Sequence, residues 1–285
     1  MEHNNKHDTI LIFDVETTGL PPKKKEGQLE EDLQNCPYIT QLSYVLFHTK
    51  TYRITKCYNS YVKLSPDVVI TPFISKLTGF TREISDTQGR HIADILYDFR
   101  CDVENASLVV AHNIEFDRRM VEIEYARLLL NGEHTNTTTE PALAPAPPAL
   151  PSTFIPPNTT TAPAVPPAVF VKPLYCTMRK GNVLCNLYQK NNPYLRKFPT
   201  LAELYKHLFN EIPTGLHNSM MDVIVCLRCF IKLHYDVYIH NVVYDKFINN
   251  AINMEGGGTG VNNSCPEHTN ATRGGGGGGG GGGCH

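Results

Sequence analysis

Four carboxylates and one imidazole stand at spacings that suit cation binding. Asp14 and Glu16 fall at the end of the apolar run Thr9-Ile-Leu-Ile-Phe-Asp-Val15. Acids at the end of a buried strand are costly, because a carboxylate taken out of water must be paired or become neutral. Two residues apart on an extended chain they face the same side, and cation binding is the simplest way to keep both ionised. Thr17-Thr18-Gly19-Leu20 then reads as a turn whose hydroxyls and N–H groups can meet phosphate oxygens, with Gly19 allowing close backbone approach. Asp117 opens a helix just after His112-Asn113, where free N–H groups and the helix dipole favour a carboxylate; alone, it could be a plain N-cap. Asp222 lies near the start of the last long helix, five residues after His217, so the loop-to-helix entry could aim both into one cleft. Singly each has an ordinary structural explanation. Together, at these spacings, the four acids and the histidine point to a cation-binding site.

The elements that must position these groups follow from hydrophobic periodicity. TILIFDV is short and rich in β-branched residues, so it reads as a buried central strand. Ile39 to Phe47 and Tyr52 to Lys63 read as further strands joined by a polar turn around Lys50, giving a three-strand meander. Ile70 to Thr78 and Gly89 to Cys101 carry helical spacing, and Ser107 to Ala111 is a second short buried strand ending in His112. Asp117 to Leu130 follows as a helix, with Arg118, Arg119, Glu122 and Glu124 at its polar positions. A segment around Leu174 to Thr177, a helix from Leu201 to Asn210 and a long helix from roughly Ser219 to Tyr238 complete the pattern. Strands first, then alternating strand and helix, predict an α/β domain with a mixed sheet.

Low-complexity segments bound that domain. Pro141 to Pro173 holds 11 Pro among Ala, Thr and Val, a composition expected to run as an extended linker. Residues 9–250 are therefore read as one domain, interrupted by a Pro-rich insertion at about 132–173. Residues 1–8 form a polar N-terminal tail, and residues 255–285 a tail with an unbroken Gly run from Gly274 to Gly283, expected to be disordered. The formal charge of −2, from 26 basic and 28 acidic residues, excludes a strongly basic sheath for nucleic acid, so any such partner must be gripped locally. No secretory signal stretch and no run of about 18 apolar residues occurs; the expectation is a soluble, intracellular protein with no membrane partner. Nine Cys, an odd number in no small-domain pattern, fit reduced thiols. Cys226 and Cys229, with Cys265 and His268, could make a zinc-like set, but the first pair sits in an apolar run at helical spacing and reads as buried helix thiols.

The motifs resemble a known family. Asp14-Val-Glu16-Thr-Thr-Gly-Leu20, His112-Asn-Ile-Glu-Phe-Asp117 and His217-Asn-Ser-Met-Met-Asp222 are similar, in order, to the three exonuclease motifs of the DEDDh 3′→5′ exonucleases, which include the epsilon subunit of bacterial DNA polymerase III, RNase T and oligoribonuclease. Lys76-Leu-Thr-Gly-Phe-Thr81 also resembles the family's I-x-x-L-T-G-I-T stretch. The resemblance covers roughly Thr9 to Leu233 without the linker. It implies an RNase H-like mixed sheet, with a three-strand antiparallel meander plus parallel strands, flanked by helices. It further implies hydrolysis from a free 3′ end of DNA or RNA, single-stranded, to nucleoside 5′-monophosphates, with two divalent ions, Mg²⁺ or Mn²⁺. By similarity Asp14 bridges both ions, Glu16 and Asp222 hold the one beside the attacking water, Asp117 supports the other, and His217 is the general base. The 3′ end is expected in the Thr17 to Leu20 turn, with Leu20 against the terminal base and His112 and Asn113 near the substrate backbone. Two competing readings are a catalytically silent nucleic-acid-binding or scaffold protein on the same fold, and an endonuclease of the wider RNase H-like class. Two departures from the family pattern are the mixed-charge loop beginning at Lys23 to Lys25 and the Pro-rich insertion, read as solvated loop and spacer.

Overall fold

The computed structural model describes residues 8–22, 33–132, 170–241, 244–247 and 249. The loop at Lys23 to Lys25, nearly all of the Pro-rich insertion and the Gly-rich tail, with Cys265 and His268, lie outside the described residues.

A five-stranded sheet runs in the order β3-β2-β1-β4-β5. Strand β1 (Thr9–Thr17) pairs antiparallel with β2 (Ile39–His48), which pairs antiparallel with β3 (Arg53–Tyr61). On its other side β1 pairs parallel with β4 (Leu108–Ala111), and β4 with β5 (Leu174–Cys176). This is the expected meander plus parallel strands. Alternation along β1 sends Leu11, Phe13 and Val15 into one core and Ile10 and Ile12 into the other. Asp14 and Glu16 continue the parity of Ile10 and Ile12, so two carboxylates stand where that face would otherwise stay apolar.

The first core is covered by helices α3 (Ile92–Asn105) and α4 (Ile114–Leu130), through Ile95, Phe99, Met120 and Val121. The second lies under α6 (Leu201–Phe209) and α7 (Ser219–Tyr235), through Leu204, Val223, Leu227 and Phe230. Burying each such side chain contributes on the order of 2 kcal/mol. Cys226 and Cys229 are both buried on α7, as their helical spacing predicts.

The helical spacing of Ile70 to Thr78 is met by α1 (Pro72–Thr78), which ends on Gly79 at φ 77°, a left-handed cap that suits glycine; Thr81 caps α2 (Arg82–Gln88), so Lys76 to Thr81 is a helix-to-helix joint. Several other expectations need correction. The helical spacing of Gly89 to Cys101 belongs to α3, which starts at Ile92; Gly89 closes α2 instead, and a Cβ there would meet the Ser85 carbonyl at 2.2 Å. Helix α4 begins three residues before Asp117, so Asn113 is its N-cap, at φ 65°, and Asp117 lies within the first turn. Helix α7 stops at Tyr235 rather than Tyr238. Helix α5 (Thr177–Cys185) and a separate hairpin, β6 (Tyr188–Gln189) with β7 (Asn192–Arg196), were not expected.

Candidate active site

The parallel strands β1 and β4 end at one edge of the sheet, and the motif residues gather there. Asp14 and Glu16 leave β1 at its C-terminal end, beside a register shift between Glu16 and Thr17. Helix α7 is docked against them by its first residue: Ser219 Oγ donates to the Asp14 carbonyl at 2.7 Å, and the Ser219 N–H to Gln41 Oε1 at 3.3 Å. Asn218 caps the helix, its side-chain oxygen accepting from the N–H groups of Met220 and Met221. This brings Asp222, in the first turn, onto the carboxylates of β1. One ligand oxygen each from Asp14, Glu16 and Asp222 lie within 4.8 Å of one another, a separation that suits shared divalent cations.

Burial, and then the charges of Asp117, Asp222 and Glu16, push the Asp14 carboxyl well above the usual range. Burial and the Asp222 charge push Glu16 up to about 7. Burial likewise raises Asp222 to about 7, although the His217 N–H donated to its Oδ2 at 2.9 Å favours the ionised form. Without a cation the cluster resists ionisation, and a divalent cation relieves both the desolvation and the mutual repulsion. The donor set, all hard oxygens, fits Mg²⁺ or Mn²⁺.

Asp117 is buried and stands outside this tight trio. Its Oδ1 accepts from the Val15 N–H at 3.2 Å, which ties α4 to β1. It remains close enough that its charge is the largest electrostatic contribution at Asp14, and its own carboxyl is raised well above the usual range, chiefly by burial. His217 is exposed, at φ 70°, on the loop leading into α7. Only its backbone N–H is fixed, and the ring is left toward solvent.

The Thr17 to Leu20 turn is held from below. Thr17 Oγ1 donates to the Gly19 carbonyl at 2.6 Å, the Thr18 N–H to the Tyr38 carbonyl at 2.9 Å, and the Tyr38 N–H to Thr18 Oγ1 at 3.0 Å. A Cβ placed on Gly19 would meet nothing within 4 Å, so the turn is open above. Leu20 is 83% exposed and borders an open groove of about 360 Å³ that Thr18, Tyr38, Val68 and Val69 also line. Tyr38 is fixed by Arg127, whose guanidinium lies 3.8 Å from the ring centroid and donates to the carbonyls of Leu33 and Pro37.

His112 differs from the other motif residues. Its Nδ1 lies 3.0 Å from Thr177 Oγ1 and its Nε2 3.1 Å from the Pro199 carbonyl. A carbonyl can only accept, so Nε2 carries the proton and Nδ1 accepts from the Thr177 hydroxyl. Burial lowers its pKa to about 4, keeping the ring neutral. Both nitrogens are thus spent within the protein, joining β4, α5 and the segment before α6. Asn113 beside it is exposed, and its side chain does not cap α4. Ser219, Gln41 and Thr177 escaped the sequence reading; only the Asn218-Ser219 pair before a helix carries a signal, as an N-cap.

Residues 11–139 match the family model RNase_T, described as exonuclease. Comparison with curated protein sequences gave no match. Among solved structures, the chain is similar to a 3′-exonuclease described in 3′-end specific recognition of the histone mRNA stem-loop. The identity is 14% and the TM-score 0.51, over 80% of this chain and 64% of that one. It is similar also to the nuclease domain of 3′hExo, a DEDDh family member, bound to rAMP, at 14% identity and TM-score 0.50 over 81% and 93%. A third is E. coli exonuclease I with a dT13 oligonucleotide, at 12% and 0.50 over 84% and 43%. At these identities the likeness is one of fold, and this chain spans less than half of exonuclease I. Over residues 11–139 the chain is thus similar to the exonuclease family model, and its mixed five-stranded sheet flanked by helices is similar in fold to the nuclease domain of a DEDDh family member.

Proposed function

We propose that the protein is a metal-dependent 3′→5′ exonuclease that shortens single-stranded DNA or RNA and releases nucleoside 5′-monophosphates. The observation that carries this reading is the trio Asp14, Glu16 and Asp222, three carboxylates with oxygens within 4.8 Å of one another at the C-terminal end of the central strand. The 3′-exonuclease and exonuclease I with which it shares its fold are described with an RNA stem-loop and with an oligonucleotide, which supports a nucleic-acid substrate here.

Two divalent ions, Mg²⁺ or Mn²⁺, would supply Lewis acidity to the water and to the leaving 3′-oxygen. Asp14 would hold both, Glu16 and Asp222 the ion beside the water, and Asp117 the other. His217 would take the proton of the water at a ring nitrogen, where a neutral imidazole accepts; its backbone N–H is bonded to Asp222. The turn at Thr17 to Leu20 receives the terminal nucleotide, with the exposed Leu20 side chain offering apolar contact to its base. Asn113, exposed at the head of α4, faces the incoming backbone, while His112 fixes the frame around it.

The test uses 5′-labelled single-stranded DNA and RNA of one sequence with Mg²⁺, Mn²⁺ or EDTA, and a circular single strand as control. The expected result is a ladder shortening from the 3′ end, dependent on metal, absent with Asp14→Ala and absent on the circle. Full activity of a folded Asp14→Ala protein would overturn the metal assignment. Cleavage of the circle would make the protein an endonuclease, and no cleavage of any polymer by the folded protein would leave a silent binding protein.

A further inference from the structure

The β6–β7 hairpin has no part in the trio, yet its foot is fixed beside it. Pro199, three residues beyond β7, gives its carbonyl to His112, and His112 immediately precedes the N-cap of the helix that carries Asp117. On the outer side, Lys197 Nζ meets Glu203 Oε1 on α6 at 2.6 Å, and the Lys197 N–H closes the hairpin onto the Leu187 carbonyl at 3.0 Å.

All seven residues of the two strands are exposed. A two-stranded hairpin with no core behind it is marginal in water, and large aromatic side chains on it gain nothing from the fold. Tyr194 is nonetheless 94% exposed, Phe198 52% and Tyr188 43%. Tyr188 stands opposite Arg196 in the register, and Gln189 opposite Asn192, so the segment of β7 carrying Tyr194 bulges between the two pairs.

Charge points the same way. Residues 177–198 contain five cations, Arg179, Lys180, Lys190, Arg196 and Lys197, and no Asp or Glu, in a chain whose formal charge is −2. Lys190 and Arg196 make no ion pair among the described residues. Alternating aromatic rings and free cations on an exposed arm suit a polymer that offers flat π-faces and phosphates in turn, which is single-stranded nucleic acid. Its negative charge also complements the arm, whereas the carboxylates of the site repel it until cations are bound.

We propose that this hairpin is a nucleic-acid-gripping arm, which holds the single strand 5′ of the nucleotide being removed by stacking bases on Tyr194 and Tyr188 and pairing phosphates with Arg196 and Lys190. The inference rests on the nuclease reading for the polarity of the strand, and it deepens it by placing substrate recognition outside the site.

The experiment measures binding of labelled oligothymidylates of about 3 and about 15 nucleotides to the full chain in EDTA, by fluorescence anisotropy, across a salt series. The proteins are the parent, Tyr194→Ala, Tyr194→Phe and Arg196→Ala. Tyr194→Ala is expected to weaken the long oligonucleotide about tenfold or more, and Tyr194→Phe to restore parental affinity, because stacking needs the ring and not the hydroxyl. Arg196→Ala is expected to reduce the salt slope by about one. On the short oligonucleotide parent and variants converge. Parental affinity of Tyr194→Ala and Arg196→Ala for the long strand would overturn the arm, even with the nuclease intact. Failure of the nuclease reading appears separately, as no metal-dependent shortening by the parent. These side chains are exposed, so unchanged circular dichroism accompanies each result.

Discussion

Replacing Glu16 by Gln should make the metal-free protein more stable, although it damages the site. Glu16 is half-buried beside Asp222, and its carboxyl is raised from the ordinary 4.5 to about 7. At about 1.4 kcal/mol per pH unit, ionising it in the folded chain at pH 8 costs about 3 kcal/mol relative to the unfolded chain. Gln keeps the shape and removes the charge, so Glu16→Gln should recover much of this, or about 6–12 °C in melting temperature for a domain of this size. The sign with pH follows. Between the unfolded and folded pKa values the native state binds more protons than the unfolded state, so stability in EDTA is full near pH 4 and falls as pH rises through about 7. Asp222, also raised to about 7, adds to that fall in the parent, and Glu16→Gln should flatten it. Urea unfolding in EDTA at pH 5 and pH 8 measures both effects. Mg²⁺ should then stabilise the parent at pH 8 more than the variant, because binding the folded state alone raises stability by mass action. A Glu16→Gln protein less stable than the parent in EDTA at pH 8 would refute the reasoning, since it would mean the carboxylate is held by favourable contacts and not at a cost.

His217→Ala should lower the rate of strand shortening by about 10²–10⁴ with Mn²⁺ affinity nearly unchanged, read by calorimetry; a loss of affinity matching that of Asp14→Ala would make His217 a ligand. Arg228, 1% exposed on α7, has its guanidinium 4.4 Å from the ring centroids of both Phe209 and Tyr244 and bonded to Glu211 Oε2 and the Ile239 carbonyl. Arg228→Ala should therefore cost about 3–5 kcal/mol in urea unfolding. A loss within the error of the parent value would show that the aromatic cage closes without it.

By itself the sequence determined the frame of this protein. The run ending in Asp14 and Glu16 had to be a buried strand interrupted by charge, because alternation and β-branching leave little else, and the meander and long helices carried equally strong periodicity. Elements without an apolar period stayed hidden. Helix α2, Arg-Glu-Ile-Ser-Asp-Thr-Gln, buries only Ser85 fully; α5 holds Gly181, whose absent Cβ lets Leu204 of α6 approach to 2.5 Å of where it would stand; and the exposed hairpin has no buried face to impose a pattern. Only the tertiary structure decided which acids converge. It brought Asp222 onto Asp14 and Glu16 through the docking of Ser219 on β1, turned Asp117 partly toward the Val15 N–H, and spent both nitrogens of His112 inside the frame. It also made a buried cation of Arg228, which on helical spacing alone is an ordinary polar position. The physical reason is common to all four: periodicity records which side of an element meets the core, whereas the partners of a polar group lie far along the chain and are chosen by how the elements pack.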